Sequence, residues 1–203
     1  MEENMELFVQ DDASRKDLLS KWLRVMILAQ IVSLITPVFG LFRVLDGISG
    51  WITRAVSAAV LISLYQLSLA NPRYRKSAHF YLVGFIGSIY QVFVGTTLLT
   101  TAAGICSIAA TYQEYTAHAE LLSMKDTYLA DKWNSLFYWE IAVGLIGGFG
   151  SMAVTLLGVG AGLLEDAIIL IAFGFVFILD LPLSLLRLRY LKKMRSVLIT
   201  SEM

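Results

Sequence analysis

The sequence has few of the residues that most enzyme and metal sites require. Its 203 residues include one cysteine, Cys106, and two histidines. A single cysteine excludes an internal disulfide, a CxxC redox pair and a zinc site built from several cysteines. The chain also lacks a GxSxG nucleophile elbow, a GxxxxGK[ST] phosphate-binding loop and an HExxH zinc motif. We therefore predict no catalytic residue and no cofactor, and the sequence favours a protein that is not an enzyme.

Charged residues are also scarce. They make up 16% of the chain, whereas hydrophobic residues make up 57%. In soluble globular proteins about 25% of residues are charged. The sixteen Lys and Arg residues equal the sixteen Asp and Glu residues, so no basic excess indicates a nucleic-acid partner. This composition is typical of an integral membrane protein, whose expected partner is the lipid bilayer.

Long uncharged runs support this interpretation. A helix needs about 20 mostly apolar residues to cross the ~30 Å hydrocarbon core of a bilayer. Runs of this kind cover residues 25–42, 55–72, 77–113, 141–164 and 167–186, the last interrupted only by Asp180. The third run has 37 residues, too many for one crossing at a helical rise of 1.5 Å per residue. We expect it to form a hairpin of two spans that turns at residues 95–97, which gives six spans in all.

The positions of Lys and Arg distinguish the topologies, because basic loops remain in the cytoplasm. With six spans, fourteen of the sixteen basic residues lie on one side, together with both termini. A five-span chain would divide them seven to nine, which is no bias. A four-span chain, with the last run re-entrant, would divide them twelve to four and remains an alternative. The predicted topology thus has six spans and cytoplasmic termini.

The predicted fold class is an all-α, polytopic membrane helix bundle. Residues 1–21 are expected to form a polar cytoplasmic segment, residues 22–190 a single transmembrane domain, and residues 191–203 a basic cytoplasmic tail. Residues 113–140 should form a cytoplasmic helical hairpin, since apolar positions continue at helical spacing beyond the fourth span. The small size and the absence of sorting motifs favour a bacterial plasma membrane.

The fifth span carries small residues at steps of three and four, so they share one face of a helix. They are Gly144, Gly148, Ser151, Thr155, Gly158 and Gly162. Small residues allow membrane helices to approach closely. This face is interpreted first as packing within the chain, and alternatively as the seam of a homo-oligomer, the contact with a membrane-protein partner or the wall of a narrow pathway. A shorter stripe on the fourth span includes Gly104 and Ser107.

Several polar side chains fall inside the apolar runs. Asp180 is a functional candidate because a carboxylate is costly in lipid. It is also seven residues from Arg187, so it can reach the interface, pair with that arginine or cap a helix restart at Pro182. The glutamines of the first three spans are expected to form interhelical hydrogen bonds, or else to line a polar site. They are Gln30, Gln66 and Gln91.

Glu114 and His118 lie one helical turn apart, a spacing compatible with two ligands of one metal ion. Two ligands do not make a site, so a local contact or solvation is preferred and no metal is predicted. With packing features more numerous than chemical ones, the predicted function is that of a non-enzymatic accessory or scaffold subunit. It would assemble through the fifth span and the cytoplasmic hairpin. The alternative is a small transporter or channel that uses Asp180 and the glutamines.

Overall fold

The computed structural model describes the backbone of residues 2–40, 46–94, 97–157 and 163–200, and the side chains of residues 14–37, 48–87, 89–90, 103–146 and 178–200. Within these ranges all regular structure is α-helical, which confirms the all-α prediction. The six helices are α1 (Glu2–Gly40), α2 (Asp46–Leu67), α3 (Pro72–Val94), α4 (Thr97–Leu122), α5 (Thr127–Leu157) and α6 (Leu163–Thr200).

The third uncharged run forms two antiparallel helices, α3 and α4. The Ser77 hydroxyl near the start of α3 donates to the carbonyl of Ala110 in the middle of α4, at 2.8 Å. Further along, Gly84 lies so close to α4 that a Cβ there would be 3.7 Å from the carbonyl oxygen of Ala103. A later residue of α3 thus contacts an earlier residue of α4, as expected for antiparallel helices. Residues 95–96 between them lie outside the described residues.

Each helix packs against its neighbours in sequence, and α6 also packs against α1, so the six helices form a closed ring. The Arg195 guanidinium contributes to this closure by donating to the carbonyl and hydroxyl oxygens of Ser20, at 3.2 and 3.0 Å. Because consecutive helices run in opposite directions, the turns at residues 68–71 and 123–126 lie at the same end of the ring.

Side-chain caps begin the helices that follow these two turns. The Asn71 carboxamide oxygen accepts a hydrogen bond from the Arg73 amide at 2.9 Å, with Pro72 as the first helical residue. Asp126 accepts a hydrogen bond from the Leu129 amide at 2.8 Å. Both arrangements satisfy amides that a helix start leaves without partners. Asp126 also pairs with Lys193 at 3.0 Å and so joins the second turn to α6.

The described core lies at the end of the ring that carries these turns, hereafter the packed end. Every helix contributes to it. Its largest buried apolar side chains are Leu23, Leu64, Leu67, Tyr74, Tyr115, Leu122, Leu129, Trp133, Leu191 and Met194.

Helical packing extends into both terminal segments. Residues 191–200 continue α6, because Leu191, Met194 and Leu198 recur at helical spacing and are buried in the core. At the other end of the chain, Leu19 is buried in the core and α1 begins at Glu2. The packed end therefore includes residues of both terminal segments.

Beyond the packed end, the described residues expose many large apolar side chains. All six helices expose large hydrophobic side chains there, among them Leu28, Ile35, Ile62, Ile86, Ile105, Ile108, Leu145 and Ile178. In the described part of the chain, two segments have the length and composition to cross a bilayer. They are Ser14–Pro37, with mean hydropathy 1.7, and Ile48–Leu67, with mean hydropathy 1.4. Only 28% and 11% of these windows are buried, whereas the core helix of a soluble protein is mostly buried. The predicted arrangement of six spans is not confirmed.

Candidate functional site

Glu114 and His118 lie inside the packed end and are both fully buried. The distance from His118 Nε2 to the nearer Glu114 oxygen is 3.5 Å, which is at most a long contact. Among the residues that the structure describes, no group of three or more His, Cys, Asp and Glu side chains is arranged so that it could hold a metal ion. The second histidine, His79, is exposed and packs edge-on against Tyr65. The residues that do surround Glu114 and His118 come from α3, α5 and α6.

Glu114 forms an ion pair with Arg187 of α6, at 2.7 Å. The glutamate is fully buried and the arginine is 17% exposed, so the pair is largely removed from water. Burial alone would raise the pKa of Glu114. The charge of Arg187 and the polar contacts with Arg187 and His118 outweigh burial and lower this pKa to about 2. Glu114 is therefore a carboxylate at neutral pH. The Arg187 guanidinium also lies over the ring of Tyr115, 5.3 Å from its centroid.

His118 lies between aromatic side chains and forms a hydrogen bond with Tyr74 of α3. The distance from the Tyr74 hydroxyl to His118 Nδ1 is 2.6 Å, and the centroids of the His118 and Trp133 rings are 4.4 Å apart. Burial lowers the pKa of His118, although the carboxylate of Glu114 opposes this shift. The imidazole is therefore neutral at neutral pH. The tautomer that suits both neighbours accepts the Tyr74 proton at Nδ1 and directs Nε2–H towards Glu114.

The cluster continues to α5 through Tyr115, whose hydroxyl donates to Glu140. Burial raises the pKa of Glu140, and the positive charge of Arg187 opposes this rise. Polar contacts thus connect four helices from Tyr74 through His118, Glu114 and Arg187, with Tyr115 and Glu140 alongside. We call these six residues the buried cluster.

The buried cluster does not use all of its hydrogen-bonding capacity within the described residues. Three of its buried atoms have no hydrogen-bond partner there: His118 Nε2, Arg187 Nε and Glu114 Oε2. The same is true of Nε1 of the neighbouring Trp133. The cluster contains two carboxyl groups, a neutral imidazole, two phenols and a guanidinium. It can hold a charge pair in a low-dielectric interior, and it fixes the helices that carry these groups relative to one another.

The structure does not bring the predicted intramembrane polar residues together at this site. Asp180 is exposed on α6, and Arg187 pairs with Glu114 rather than with Asp180. Gln30 is half-buried on α1 and Gln66 is exposed on α2. The side chain of Gln91 lies outside the described residues.

On the small-residue face, Gly144 is exposed, and a Cβ built there meets no atom within 4 Å. Gly104 on the adjacent helix α4 is equally open. No other described helix of this chain therefore packs closely against either glycine. The other members of the face lie outside the described side chains: Gly148, Ser151, Thr155, Gly158 and Gly162. Its role in helix packing remains a prediction.

The sequence interpretation identifies only Glu114 and His118 as a candidate pair, so it misses Tyr74, Tyr115 and Glu140 and the role of Arg187. In the sequence Arg187 opens a basic group, because Arg189, Lys192 and Lys193 follow within six residues. The signal that could have found it is the apolar stripe of α6. Leu183, Leu191, Met194 and Leu198 are all buried, and Arg187 occupies the position of this stripe between the first two.

No family model, no curated protein and no solved structure matches the chain.

The ion pair can be tested through the stability of the protein. We expect Arg187→Met to lower the free energy of unfolding by about 3–5 kcal/mol, since it leaves the Glu114 carboxylate buried and unpaired. The double variant Glu114→Met/Arg187→Met should recover most of this loss, because it buries no lone charge. Unfolding in mild detergent, followed by circular dichroism, measures the difference. The exposed neighbour Arg189 serves as control: Arg189→Met should change stability by less than about 0.5 kcal/mol. Equal losses in Arg187→Met and Arg189→Met would contradict a structural role for the pair.

The pH dependence of stability provides a second test. The lowered pKa of His118 means that the unfolded chain takes up a proton below about pH 6.5 that the folded chain resists, so stability falls as pH drops below this value. Glu114 adds a further loss between about pH 4.5 and 2, the interval between its unfolded and folded pKa values. Glu140 has the opposite effect on stability. Because its pKa is raised in the folded chain, protonation of Glu140 at acidic pH favours the folded state.

The matched variants separate these contributions. His118→Gln should remove the loss that begins near pH 6.5, and Glu114→Gln should flatten the profile below pH 4.5. Melting temperatures in a non-ionic detergent across the pH range measure both effects. Profiles of the same shape for the wild type and both variants would show that neither group is held as described.

Proposed function

We propose that the protein is a six-span integral protein of a cell membrane, with its packed end and both termini in the cytoplasm. We further propose that it acts as a non-enzymatic assembly subunit, which joins a second copy of itself or another membrane protein through the small-residue face of α5. The observation that carries the proposal is the combination of a well-packed polar end with large exposed apolar side chains on all six helices beyond it.

The exposed apolar surface supports a membrane location. A monomeric soluble protein rarely exposes contiguous apolar patches larger than a few hundred Å². Here Leu28, Ile86, Ile105 and Leu145 are all more than half exposed, although they belong to four different helices. Lipid chains would cover these apolar side chains and keep them out of contact with water.

Exposed aromatic side chains lie between the apolar surface and the packed end, where a membrane–water interface is proposed. They are Tyr65, Tyr112, Tyr138 and Trp139 on α2, α4 and α5. Tyrosine and tryptophan are enriched at this depth because their rings are partly polar. The basic residues of the packed end support the cytoplasmic orientation, since cytoplasmic loops carry an excess of Lys and Arg.

The assembly face is supported by the open surroundings of Gly144. A glycine in a membrane helix is most useful where another helix backbone lies against it. No described helix of this chain does so at Gly144 or at Gly104, although α4 and α5 are in contact elsewhere. A helix of a second molecule has access to both glycines. The packed end, joined by the buried cluster, would hold α5 in a fixed orientation for this contact.

The alternative function, transport through Asp180, has less support. Asp180 is exposed and pairs with no residue of the buried cluster in the described contacts. The interior of the packed end is filled by large, fully buried side chains, including Trp133, Tyr115 and His118. A conduit that continued through this end would require these side chains to move.

The orientation can be tested with single cysteines in a Cys106→Ala background. We expect Leu69→Cys and Met124→Cys to react with a membrane-impermeant maleimide from the same side of sealed vesicles, because the two turns share one end of the ring. Their side chains are 75% and 99% exposed. Trp51→Cys, near the start of α2, should react only from the other side. Labelling of Leu69→Cys and Met124→Cys from opposite sides would overturn the proposed topology.

The assembly face can be tested at Gly144. We expect Gly144→Leu to weaken self-association or partner binding by about tenfold or more, because the larger side chain separates the helix backbones. The substitution has room in the monomer, where a Cβ meets nothing within 4 Å. Light scattering in mild detergent and energy transfer between labelled copies in nanodiscs measure self-association, and co-purification measures partner binding.

Two further variants serve as controls. Gly144→Ala keeps a small side chain and should retain association. Gly104→Leu places the same bulk at an equally open glycine of α4, so retained association in this variant would locate the seam on α5. If Gly144→Leu behaves like the wild type in mass, energy transfer and partner content, the proposed assembly face is wrong.

A further inference from the structure

A cleft of about 500 Å³ opens at the packed end between α1, the turn at residues 68–71, α3 and α4. Its lining includes Arg15, Arg73 and Lys76, with Glu120 as the only acid. A second cleft of about 290 Å³ shares Arg15 and Glu120 with the first and adds Lys16 and Lys125. Because the two clefts share lining residues, we treat them as one feature, the basic groove.

The single acid of the basic groove is already engaged by groups of the protein. One oxygen of Glu120 accepts a hydrogen bond from Arg73 Nε at 2.6 Å, and the other accepts one from the Asn71 carboxamide at 3.0 Å. Arg73 also lies 3.4 Å from the carboxamide oxygen of Gln113. Glu120 therefore holds Arg73 in position. Its single negative charge leaves the first cleft with a net charge of plus two, since the cleft also contains Arg15 and Lys76.

Arg15 is positioned by the backbone of the turn. Its Nη2 donates to the carbonyl of Ala70 at 3.1 Å, which fixes the guanidinium at the mouth of the cleft without neutralising it. Arginines held in this way lose little side-chain entropy when they bind an anion, and their planar donors match phosphate oxygens. The first cleft thus contains pre-positioned donors, and the charges of the described side chains that line it are positive in sum.

The depth of the basic groove indicates the source of the anion. The apolar segment Ile48–Leu67 ends four residues before Asn71, which lines the groove. The groove therefore lies a short distance from the apolar surface. In the proposed orientation it is on the cytoplasmic side and next to the headgroup layer, where anionic lipids attract basic residues.

We propose that the basic groove binds the phosphate group of an anionic phospholipid of the cytoplasmic leaflet. Arg15, Arg73 and Lys76 contact the phosphate, and Glu120 acts as a positioning residue for Arg73. This inference rests on the membrane orientation given under the proposed function, but not on the assembly face of α5. A Gly144→Leu variant that no longer associates should still bind the lipid.

The test uses the full-length protein purified in a neutral detergent, with phosphatidylglycerol or phosphatidylcholine added at equal mole fraction. We expect phosphatidylglycerol to raise the melting temperature and to remain bound in native mass spectrometry, and phosphatidylcholine to do neither. Arg15→Gln/Lys76→Gln should bind phosphatidylglycerol about thirty-fold more weakly, since two cations near the phosphate are lost.

The matched control is Arg75→Gln. It removes an exposed basic residue of α3, the helix that carries Lys76, and this residue does not line the clefts. It should change binding by less than about threefold. Equal weakening in Arg75→Gln and in Arg15→Gln/Lys76→Gln would overturn the groove and indicate diffuse attraction between charges. Glycerol 3-phosphate distinguishes the two sources of phosphate. If this soluble compound stabilises the protein as strongly as phosphatidylglycerol does, the lipid assignment is wrong and the ligand is a free phosphate ester.

Discussion

The contact between Glu114 and Arg187 connects α4 to α6 at the end of the molecule where the described core lies. Each of these charges would be costly to bury alone, so each requires the other to be within hydrogen-bonding distance. This requirement fixes the axial position of α6, because Arg187 lies between Leu183 and Leu191 on the buried stripe of that helix. The Arg187 guanidinium also lies over the ring of Tyr115, whose hydroxyl donates to Glu140 of α5. The ion pair is therefore connected to α5 as well. A displacement of α6 by one turn would leave both charges without partners.

The described side chains change in character along the helices. At the packed end the helices bury aromatic and aliphatic side chains around a few charged groups, as in a soluble bundle. Beyond it, the described residues include many large apolar side chains that are exposed. Surfaces with different chemistry therefore follow one another along the helix axis. The basic groove lies at one level, the exposed aromatic side chains at the next, and the open glycines Gly104 and Gly144 further along.

Much of the fold could be predicted from the sequence, because charges mark the limits of apolar helices. The 37-residue uncharged run required a break, and α3 ends at Val94 whereas α4 begins at Thr97. The buried cluster could not be predicted by the same rule. That rule treats every charged residue as the boundary of a span, so it does not predict that Glu114 and Arg187 are buried against each other. Their burial depends on contacts between residues 73 positions apart. A sequence pattern describes the faces of one helix and does not say which faces meet.

The ring is closed by a contact between the first helix and the last. Leu19 and Leu23 of α1 belong to the same core as Leu191, Met194 and Leu198 of α6, and Ser20 receives hydrogen bonds from Arg195. The ribosome makes the first of these surfaces long before the last. At about 5–20 residues per second, α1 would wait on the order of ten to thirty seconds for the segment that covers it. During synthesis the side of α1 that packs against α6 therefore stays uncovered until α6 has been made. Completion of the core is tied to completion of the chain, so a polypeptide released before α6 would keep this surface open to chaperones and proteases.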